Sequence, residues 1–407
     1  MKNKKAIFTL FLIALNISYF SPKVLLKTTE YIQQIQEGQI GVWGKISDKT
    51  LYFSKIKSIS VKELEKPYIP IRSKGKLLKM LKEGFWYPSA VLADSIVVSY
   101  DNFGDKKDLK ELVRFYDRYI SSNGEFKRKG IVAVLDNSMH GNIMLYLYEI
   151  TENKKYLNAC KYIYNFLKHH VKANNGVLPY RYERDSMILV DSLAFICPFL
   201  MHYGRLQNDS EAVRLSEIQI LDFIDNSVDI DTGLPFHGHI SGRKGYVGIC
   251  GWGRGTGWYL YALLGFLEHC PSNNQNRDKI LAALKKVATS LELYQKNDGS
   301  WSWAIIDPYA NSEMSATAMI AYNIEKAIKF GFLPDTYYSM LDKAANVLMK
   351  QTTSIGFLMG SEGDCQGVGE YSADYGHYSW GQGPATAFFA LYLARNKSEI
   401  FESIKGD

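Results

Sequence analysis

The sequence has few cysteines, and they follow no disulfide or zinc-site pattern. Its five cysteines are an odd number spread from Cys160 to Cys365, and no two of them form a CxxC pair. Neither a disulfide framework nor a zinc site is therefore indicated. Proline (11) and glycine (32) are at ordinary levels for 407 residues, which excludes collagen-like and low-complexity proteins. The 46% hydrophobic fraction is instead that of a folded protein with a large core.

Long hydrophobic runs are also lacking, apart from one near the N-terminus. Residues 6–20 are mostly apolar and follow three lysines, a pattern typical of a signal peptide. The run is shorter than the roughly twenty residues of a membrane-spanning helix. We predict a signal peptide or membrane anchor at residues 1–22, which implies an exported or membrane-anchored protein whose N-terminus contacts a membrane. The alternative is an amphipathic or buried first helix in a cytoplasmic protein.

Positive charge is concentrated at the start of the chain. Residues 1–85 contain 16 Lys and Arg against 6 Asp and Glu, whereas the remainder contains 32 against 36. Residues 23–85 are therefore a basic N-terminal extension to a slightly acidic body. Such a body lacks the basic face with which proteins bind nucleic acid, so no nucleic-acid partner is expected. Nothing in the composition indicates an oligomeric state.

Residues 86–400 show helical periodicity with a recurring turn. Apolar stripes predict eleven helices, and a twelfth at the C-terminus remains open. A turn glycine recurs at spacings of 52, 57, 66 and 57 residues, at Gly124, Gly176, Gly233, Gly299 and Gly356. A repeat of this length holds two helices and a loop. The pattern predicts helical hairpins in a closed ring, with the functional loops at one mouth, and an open protein-binding solenoid is the alternative.

Two carboxylates stand one repeat apart at the starts of predicted helices. Asp191 begins an otherwise apolar helix, where it is either an N-cap or a proton donor whose pKa apolar neighbours would raise. Asp136 precedes it by 55 residues, about one hairpin, so adjacent hairpins would bring the two together. Paired carboxylates are the usual groups for acid and base catalysis on sugars.

A glycine-rich segment follows at residues 251–258, with the sequence GWGRGTGW. Glycines at this spacing let a backbone approach a ligand closely. Arg254, at a helix N-terminus, could clamp a carboxylate, and Trp252 and Trp258 could offer flat faces to a sugar. The alternative is that the glycines only let a buried helix pack against its neighbours.

Two further candidates complete the predicted binding residues. His237 and His239 flank Gly238, and two histidines without a third ligand are weak evidence for a metal, so we predict none. His237 is a better candidate as a hydrogen-bond donor to a sugar hydroxyl. Trp86, at the start of the first predicted helix, is included among the substrate-binding residues.

At these motifs the sequence resembles the unsaturated glucuronyl and rhamnogalacturonyl hydrolases, glycoside hydrolase families 88 and 105. The resemblance runs from about Trp86 to Arg395. Its most specific parts are Asp191 with the Pro-Phe-Leu segment at 198–200, and the Trp-Gly-Arg-Gly-x-Gly-Trp segment at 252–258. The resemblance implies an all-α fold of the (α/α)6 barrel type, in agreement with the predicted hairpins.

The resemblance also implies an activity and a role for each residue. The substrate would be an acidic oligosaccharide with a 4,5-unsaturated uronic acid at its non-reducing end, and hydration of the double bond would release that acid. Asp191 would be the general acid and base, with Asp136 as its partner. Arg254 would meet the uronate carboxylate, and Trp252, Trp258 and His237 would line the pocket. No cofactor is implied.

Other functions on a helical ring remain open at this point. One is another sugar-acting (α/α)6 enzyme: an inverting glycosidase, a lyase or an epimerase. Another is a non-catalytic glycan-binding protein of polysaccharide export.

Overall fold

A computed structural model describes residues 84–180, 186–353, 356–365 and 367–396. The predicted signal peptide or anchor, and all but the last two residues of the basic extension, lie outside these ranges. Within them, no helix has both the length and the apolar character to cross a membrane.

Eleven α-helices lie in the described part of the chain, close to the predicted positions. They are α1 (Tyr87–Phe103), α2 (Lys106–Asp117), α3 (His140–Thr151), α4 (Lys154–His169), α5 (Val190–Gln207), α6 (Ser210–Ser227), α7 (Gly253–His269), α8 (Arg277–Leu293), α9 (Met314–Lys329), α10 (Tyr338–Lys350) and α11 (Ser379–Arg395). Short 3-10 helices span Leu135–Met139 and Asp335–Tyr337. The last α-helix begins with glycine-containing turns that carry no apolar stripe.

The odd-numbered helices form a closed inner ring. Each packs against the next one in chain order, and α11 packs against α1. Each even-numbered helix packs outside the inner helix that precedes it. The predicted ring of helical hairpins is therefore confirmed, and the open solenoid is excluded. The C-terminal segment for which a twelfth helix was left open lies outside the described residues.

The fraction of each helix that is buried depends on whether the helix lies in the inner ring or outside it. In the inner helix α7, 14 of 17 residues are buried, because it has protein on every side. In its outer partner α8 only 6 of 17 are buried, on the one face that meets α7. A helix that is buried all round needs apolar or small residues throughout, whereas an outer helix needs only one apolar stripe.

The predicted glycine turns lie where each outer helix leads into the next inner helix. The five glycines have φ between 71° and 90°, in the left-handed region that glycine adopts most readily. In four of the turns the glycine N–H donates to the carbonyl three residues earlier; at Gly233 the acceptor is four residues earlier. Because each turn is followed by an inner helix, the inner helices all begin at the same mouth of the ring.

Two small antiparallel sheets lie among the loops. The first has the order β1 (Met187–Leu189), β2 (Phe236–Ile240), β3 (Tyr246–Cys250), and the second pairs β4 (Ser361–Glu362) with β5 (Tyr375–Gly376). Leu189 pairs with Gly238, where a Cβ would overlap the carbonyl oxygen of Ile188. This close pairing places His237, the residue before Gly238, beside the start of α5.

Candidate active site

The predicted catalytic and binding residues lie at the mouth where the inner helices begin. Asp136 is on the 3-10 helix that leads into α3, and Asp191 is the second residue of α5. Trp252 is the N-cap residue of α7, and Arg254 is the second residue of that helix. The hairpin repeat therefore brings residues that are far apart in sequence to one end of the ring.

Asp191 faces His237 across the first sheet. Its Oδ2 lies 3.4 Å from Nε2 of the buried His237, and its side chain keeps 19% of its surface exposed. The N-cap residue of α5 is Leu189, and no side chain caps this helix end. The capping role considered for Asp191 is therefore excluded, and its carboxylate is available to chemistry at the mouth.

The two histidines of strand β2 have different partners. His239 lies 3.0 Å from Asp222 and contacts Ser227, both on the outer helix α6. His237 instead contacts Asp191 and lies 4.6 Å, ring centre to ring centre, from Trp252. The two imidazoles therefore do not share a partner. Among the described residues, no group of three or more His, Cys, Asp or Glu is arranged to hold a metal ion.

Asp136 is 5% exposed and accepts a hydrogen bond of 3.3 Å from the Tyr180 hydroxyl. Its charge and that of Asp191 both act on Tyr87, in the first turn of α1. Burial raises the pKa of Tyr87 above its ordinary value, and the charges of Asp364, Asp191 and Asp136 add to the rise while Arg254 opposes it. The Tyr87 phenol thus stays protonated at neutral pH, within electrostatic reach of both predicted catalytic carboxylates.

Arg254 is held by the protein's own groups. Its Nη1 lies 3.3 Å from the carboxylate of Glu362 and donates to the carbonyl of Glu362 at 3.0 Å. Its Nη2 donates to the carbonyl of Gly363 at 3.0 Å. The side chains of Arg254 and Glu362 are 4% and 0% exposed. Both terminal nitrogens therefore bind β4 and the loop that follows it, and contact of Arg254 with a substrate carboxylate stays a prediction.

Glu362 is the carboxylate that occupies this clamp. It also accepts a hydrogen bond of 3.1 Å from Nε1 of Trp252. Burial raises the pKa of Glu362 to about 7, although the Arg254 guanidinium acts in the opposite direction. Its backbone N–H donates to Glu313, the N-cap residue of α9. Glu362 therefore ties the first turns of α7 and α9 to the same loop.

The two predicted sugar-stacking indoles are buried at 2% exposure each. Trp252 lies between Arg254 and the rings of His237 and Tyr371. Trp258 packs beneath Tyr87, with ring centres 6.2 Å apart. Both indoles therefore lie deep at the mouth, and their contact with a sugar stays a prediction.

Trp86 is 55% exposed, and its ring stacks on that of Tyr87 at 6.2 Å. It lies at the rim of the mouth, where Tyr87 points inward toward the carboxylates.

The glycines of the 251–258 segment serve helix packing. A Cβ at Gly257 would lie 2.6 Å from Cβ of Met319 on α9, and one at Gly253 would overlap the carbonyl oxygen of Ser302. A Cβ at Gly255 would lie 2.5 Å from the Trp252 ring. The interpretation that these glycines admit a ligand is therefore corrected in favour of the alternative, close contact between the buried helix and its neighbours.

Sequence reasoning missed several residues at the mouth. They are Tyr87, Trp303, Glu362, Asp364 and Tyr371, whose contacts or charges reach the predicted site. Tyr87 could have been found, because it stands in the first turn of an inner helix as Asp191 and Arg254 do. The others lie on irregular loops or on the two-residue strand β4, where no periodic signal connects them to the site.

Comparison with known proteins assigns the chain to a family. The sequence profile of Glycosyl Hydrolase Family 88 matches residues 63–395. An unsaturated 3S-rhamnoglycuronyl hydrolase from Alteromonas sp. (strain LOR) is 30% identical over 108 residues, a match that spans only 26% of either chain.

Two solved structures share the fold. A family 105 glycoside hydrolase from C. acetobutylicum superposes with a TM-score of 0.70 at 21% identity, covering 79% of this chain and 100% of that one. The unsaturated glucuronyl hydrolase of Bacillus sp. GL1 superposes with a TM-score of 0.58 at 16% identity, covering 83% and 94%. The ring of hairpins is thus the (α/α)6 barrel that the resemblance implied. The profile match extends over most of the chain, so the protein belongs to Glycosyl Hydrolase Family 88.

Proposed function

We propose that this protein is a glycosidase that releases a 4,5-unsaturated uronic acid from the non-reducing end of an oligosaccharide by hydrating the C4=C5 bond. The observation that carries the proposal is the partly exposed carboxylate of Asp191 facing His237 at the mouth of the ring. Family membership and the name of the Alteromonas relative support the same substrate class.

The chemistry requires one group that donates a proton and then activates water. Protonated Asp191 would donate its proton to C4, and a water molecule would add at C5 and return a proton to the carboxylate. The hemiketal formed at C5 opens to a ketone at C5 and a hemiacetal at C1. The hemiacetal then breaks its C1–O bond to the remaining saccharide, which leaves as an alcohol, and C1 becomes an aldehyde. Asp136 and the protonated Tyr87 would orient the water or the ring hydroxyls, because both lie around the same part of the mouth.

Besides Arg254, whose terminal nitrogens already bind Glu362 and Gly363, the mouth offers the uronate carboxylate a second positive environment. Six inner helices begin at the mouth, and each N-terminus carries a partial positive charge and unsatisfied N–H groups. Helix N-termini bind carboxylates and phosphates for this reason. Attraction of the anionic substrate is therefore a property of the ring architecture as well as of single side chains.

The test is a direct assay of turnover. The purified chain is incubated with unsaturated disaccharides generated by polysaccharide lyases, and loss of the ultraviolet absorbance of the conjugated acid is followed. We expect the absorbance to fall with at least one uronide, and mass spectrometry to show the gain of one water. If no uronide is consumed by folded protein, the proposed activity is wrong.

We also propose that residues 1–22 direct export or membrane anchoring. The support is the basic start and the apolar run at residues 6–20. Cells expressing the full chain and a chain without residues 2–22 would be fractionated. Recovery of the full chain in the cytoplasmic fraction, indistinguishable from the truncated one, would contradict this proposal.

A further inference from the structure

Three aromatic rings form a continuous line that leads from the catalytic pair to solvent. The ring centres of Trp252 and Tyr371 are 5.3 Å apart, and those of Tyr371 and Trp303 are 5.6 Å apart. The His237 ring, next to Asp191, lies 4.6 Å from Trp252 and 5.8 Å from Tyr371. The line therefore begins where the unsaturated uronide would react.

Exposure increases along this line. Trp252 is buried, whereas Tyr371 and Trp303 are partly exposed. The two outer rings are therefore the ones of this line that offer surface to a ligand. We call Tyr371 and Trp303 the aromatic wall.

The Tyr371 ring and the backbone of Trp303 are each held by a hydrogen bond to the elements of the site. The Tyr371 hydroxyl accepts a hydrogen bond of 3.0 Å from the N–H of Ile249 on β3. The carbonyl of Trp303 accepts one of 2.7 Å from Gly253, the first residue of α7. Rings that are fixed before binding lose little conformational freedom when a ligand stacks on them.

The loops that carry the aromatic wall have negative charge and no positive charge of their own. Residues 297–313 and 356–378 contain seven Asp and Glu and neither Lys nor Arg. Two of these acids, Asp307 and Glu370, are exposed close in sequence to Trp303 and Tyr371. Arg254, whose guanidinium lies 4.8 Å from the centre of the Trp252 ring, is paired with Glu362. A sulfate or a carboxylate on a sugar at the aromatic wall would therefore meet like charge on these two loops.

We infer that the aromatic wall binds the sugar next to the unsaturated uronide and selects a neutral sugar over a sulfated or carboxylated one. Flat aromatic faces favour the apolar C–H face of an uncharged sugar ring, and the acidic loops disfavour an anionic one. The inference rests on the proposed function for the position of the uronide, and it adds which saccharide is accepted beside it.

Turnover measurements test the stacking part of the inference. Substrates are an unsaturated uronyl disaccharide with a neutral hexose and the methyl glycoside of the same uronide. We expect Trp303→Ala to lower the ratio of kcat/KM between disaccharide and methyl glycoside by about three- to tenfold, mainly through KM. Tyr309→Ala is the matched control, because Tyr309 is 93% exposed on the same loop and should leave the ratio unchanged. An unchanged ratio in Trp303→Ala would overturn the inference.

A charge variant tests the selection of a neutral sugar. The wild type should prefer the disaccharide with a neutral hexose over its sulfated counterpart, and less strongly as salt is raised. In Glu370→Gln/Asp307→Asn this preference should shrink by at least about threefold. A wild type that prefers the sulfated sugar, or a double variant with the same preference, would show that the loops do not select by charge.

Binding measurements separate this inference from the proposed function. Calorimetric titration of Asp191→Asn with the neutral disaccharide does not depend on turnover. The double variant Asp191→Asn/Trp303→Ala should bind the same disaccharide about three- to tenfold more weakly, by the factor expected above. If the wild type turns over nothing but the binding difference appears, the activity is wrong and the aromatic wall stands. If turnover occurs and the binding difference is absent, the proposed activity stands and the inference about the aromatic wall is wrong.

Discussion

The carboxylate of Asp191 lies 3.4 Å from Nε2 of His237, and the same strand carries a second such pair, Asp222 with His239 at 3.0 Å. The two pairs share their chemistry and differ in place. Asp191 opens onto the mouth of the ring, whereas Asp222 belongs to the outer helix α6. Strand β2 therefore supplies an internal control for the role of the catalytic candidate.

Asp191→Asn should lower kcat by about 10²- to 10⁴-fold, because an amide can neither donate the proton to C4 nor take one from water. The helix end should persist, since Asp191 does not cap it. Steady-state kinetics by ultraviolet absorbance and thermal unfolding by circular dichroism measure the two effects.

The matched control is Asp222→Asn, which removes the other carboxylate–imidazole pair. It should reduce thermal stability and leave kcat within about twofold, because this pair only joins β2 to α6. Equal kcat in Asp191→Asn and wild type would show that the acid lies elsewhere. An equal loss of kcat in both variants would show that β2 needs both pairs for its position.

The buried Arg254–Glu362 pair predicts how substitutions at these two residues change the free energy of unfolding. Arg254→Ala should cost about 3–5 kcal/mol, because it leaves a buried carboxylate without its partner. The cost should be smaller at pH 6 than at pH 8, since Glu362 can then hold a proton. The double variant Arg254→Ala/Glu362→Gln should be more stable than the sum of the single changes predicts. Urea unfolding of the four proteins measures this, and additive effects would mean that the two side chains do not interact.

The raised pKa of Glu362 predicts how stability depends on pH. The unfolded chain releases this proton near the ordinary value of 4.5, whereas the folded protein keeps it up to about 7. Over this range the unfolded state binds fewer protons, so the free energy of unfolding falls as pH rises, by about 3 kcal/mol in total for this group.

Glu362→Gln should therefore show a flatter decline in stability between pH 5 and pH 7 than the wild type. Glu325, whose pKa burial also raises to about 7, is present in both proteins and contributes equally to each. The measurement is the free energy of unfolding in urea at half-unit steps of pH. Parallel curves for the two proteins would mean that Glu362 is ionised throughout this range.

The helical ring could be predicted from the sequence because its determinants are local and repeated. Apolar stripes mark each helix, and glycine turns such as Gly176 and Gly299 mark each return to the mouth. Asp136 and Asp191 could be predicted as candidates for the same reason, since each stands near the start of an inner helix. In the structure, the charges of both act on Tyr87.

The partners of Arg254 could not be predicted, because they depend on contacts between distant segments. Glu362 is 108 residues from Arg254, on a two-residue strand that no periodic pattern marks. The depth of Trp252 and Trp258 was hidden for a similar reason. A tryptophan at a helix start fits a pocket lining or a core equally well until the loops that cover it are placed.

The glycines of α7 provide a last prediction, since their role was corrected from ligand approach to helix packing. Alanine at Gly257 would place its Cβ 2.6 Å from Cβ of Met319, and neither atom is at the end of a flexible side chain. Gly257→Ala should destabilise the protein by about 1–3 kcal/mol through this overlap, despite the better helix propensity of alanine. Gly376→Ala is the control, because its nearest neighbour would lie 3.5 Å away and its φ is not positive. It should be neutral or slightly stabilising. Urea unfolding measures the stability of both variants. A stable Gly257→Ala protein with lost activity would favour the interpretation that this glycine admits a ligand.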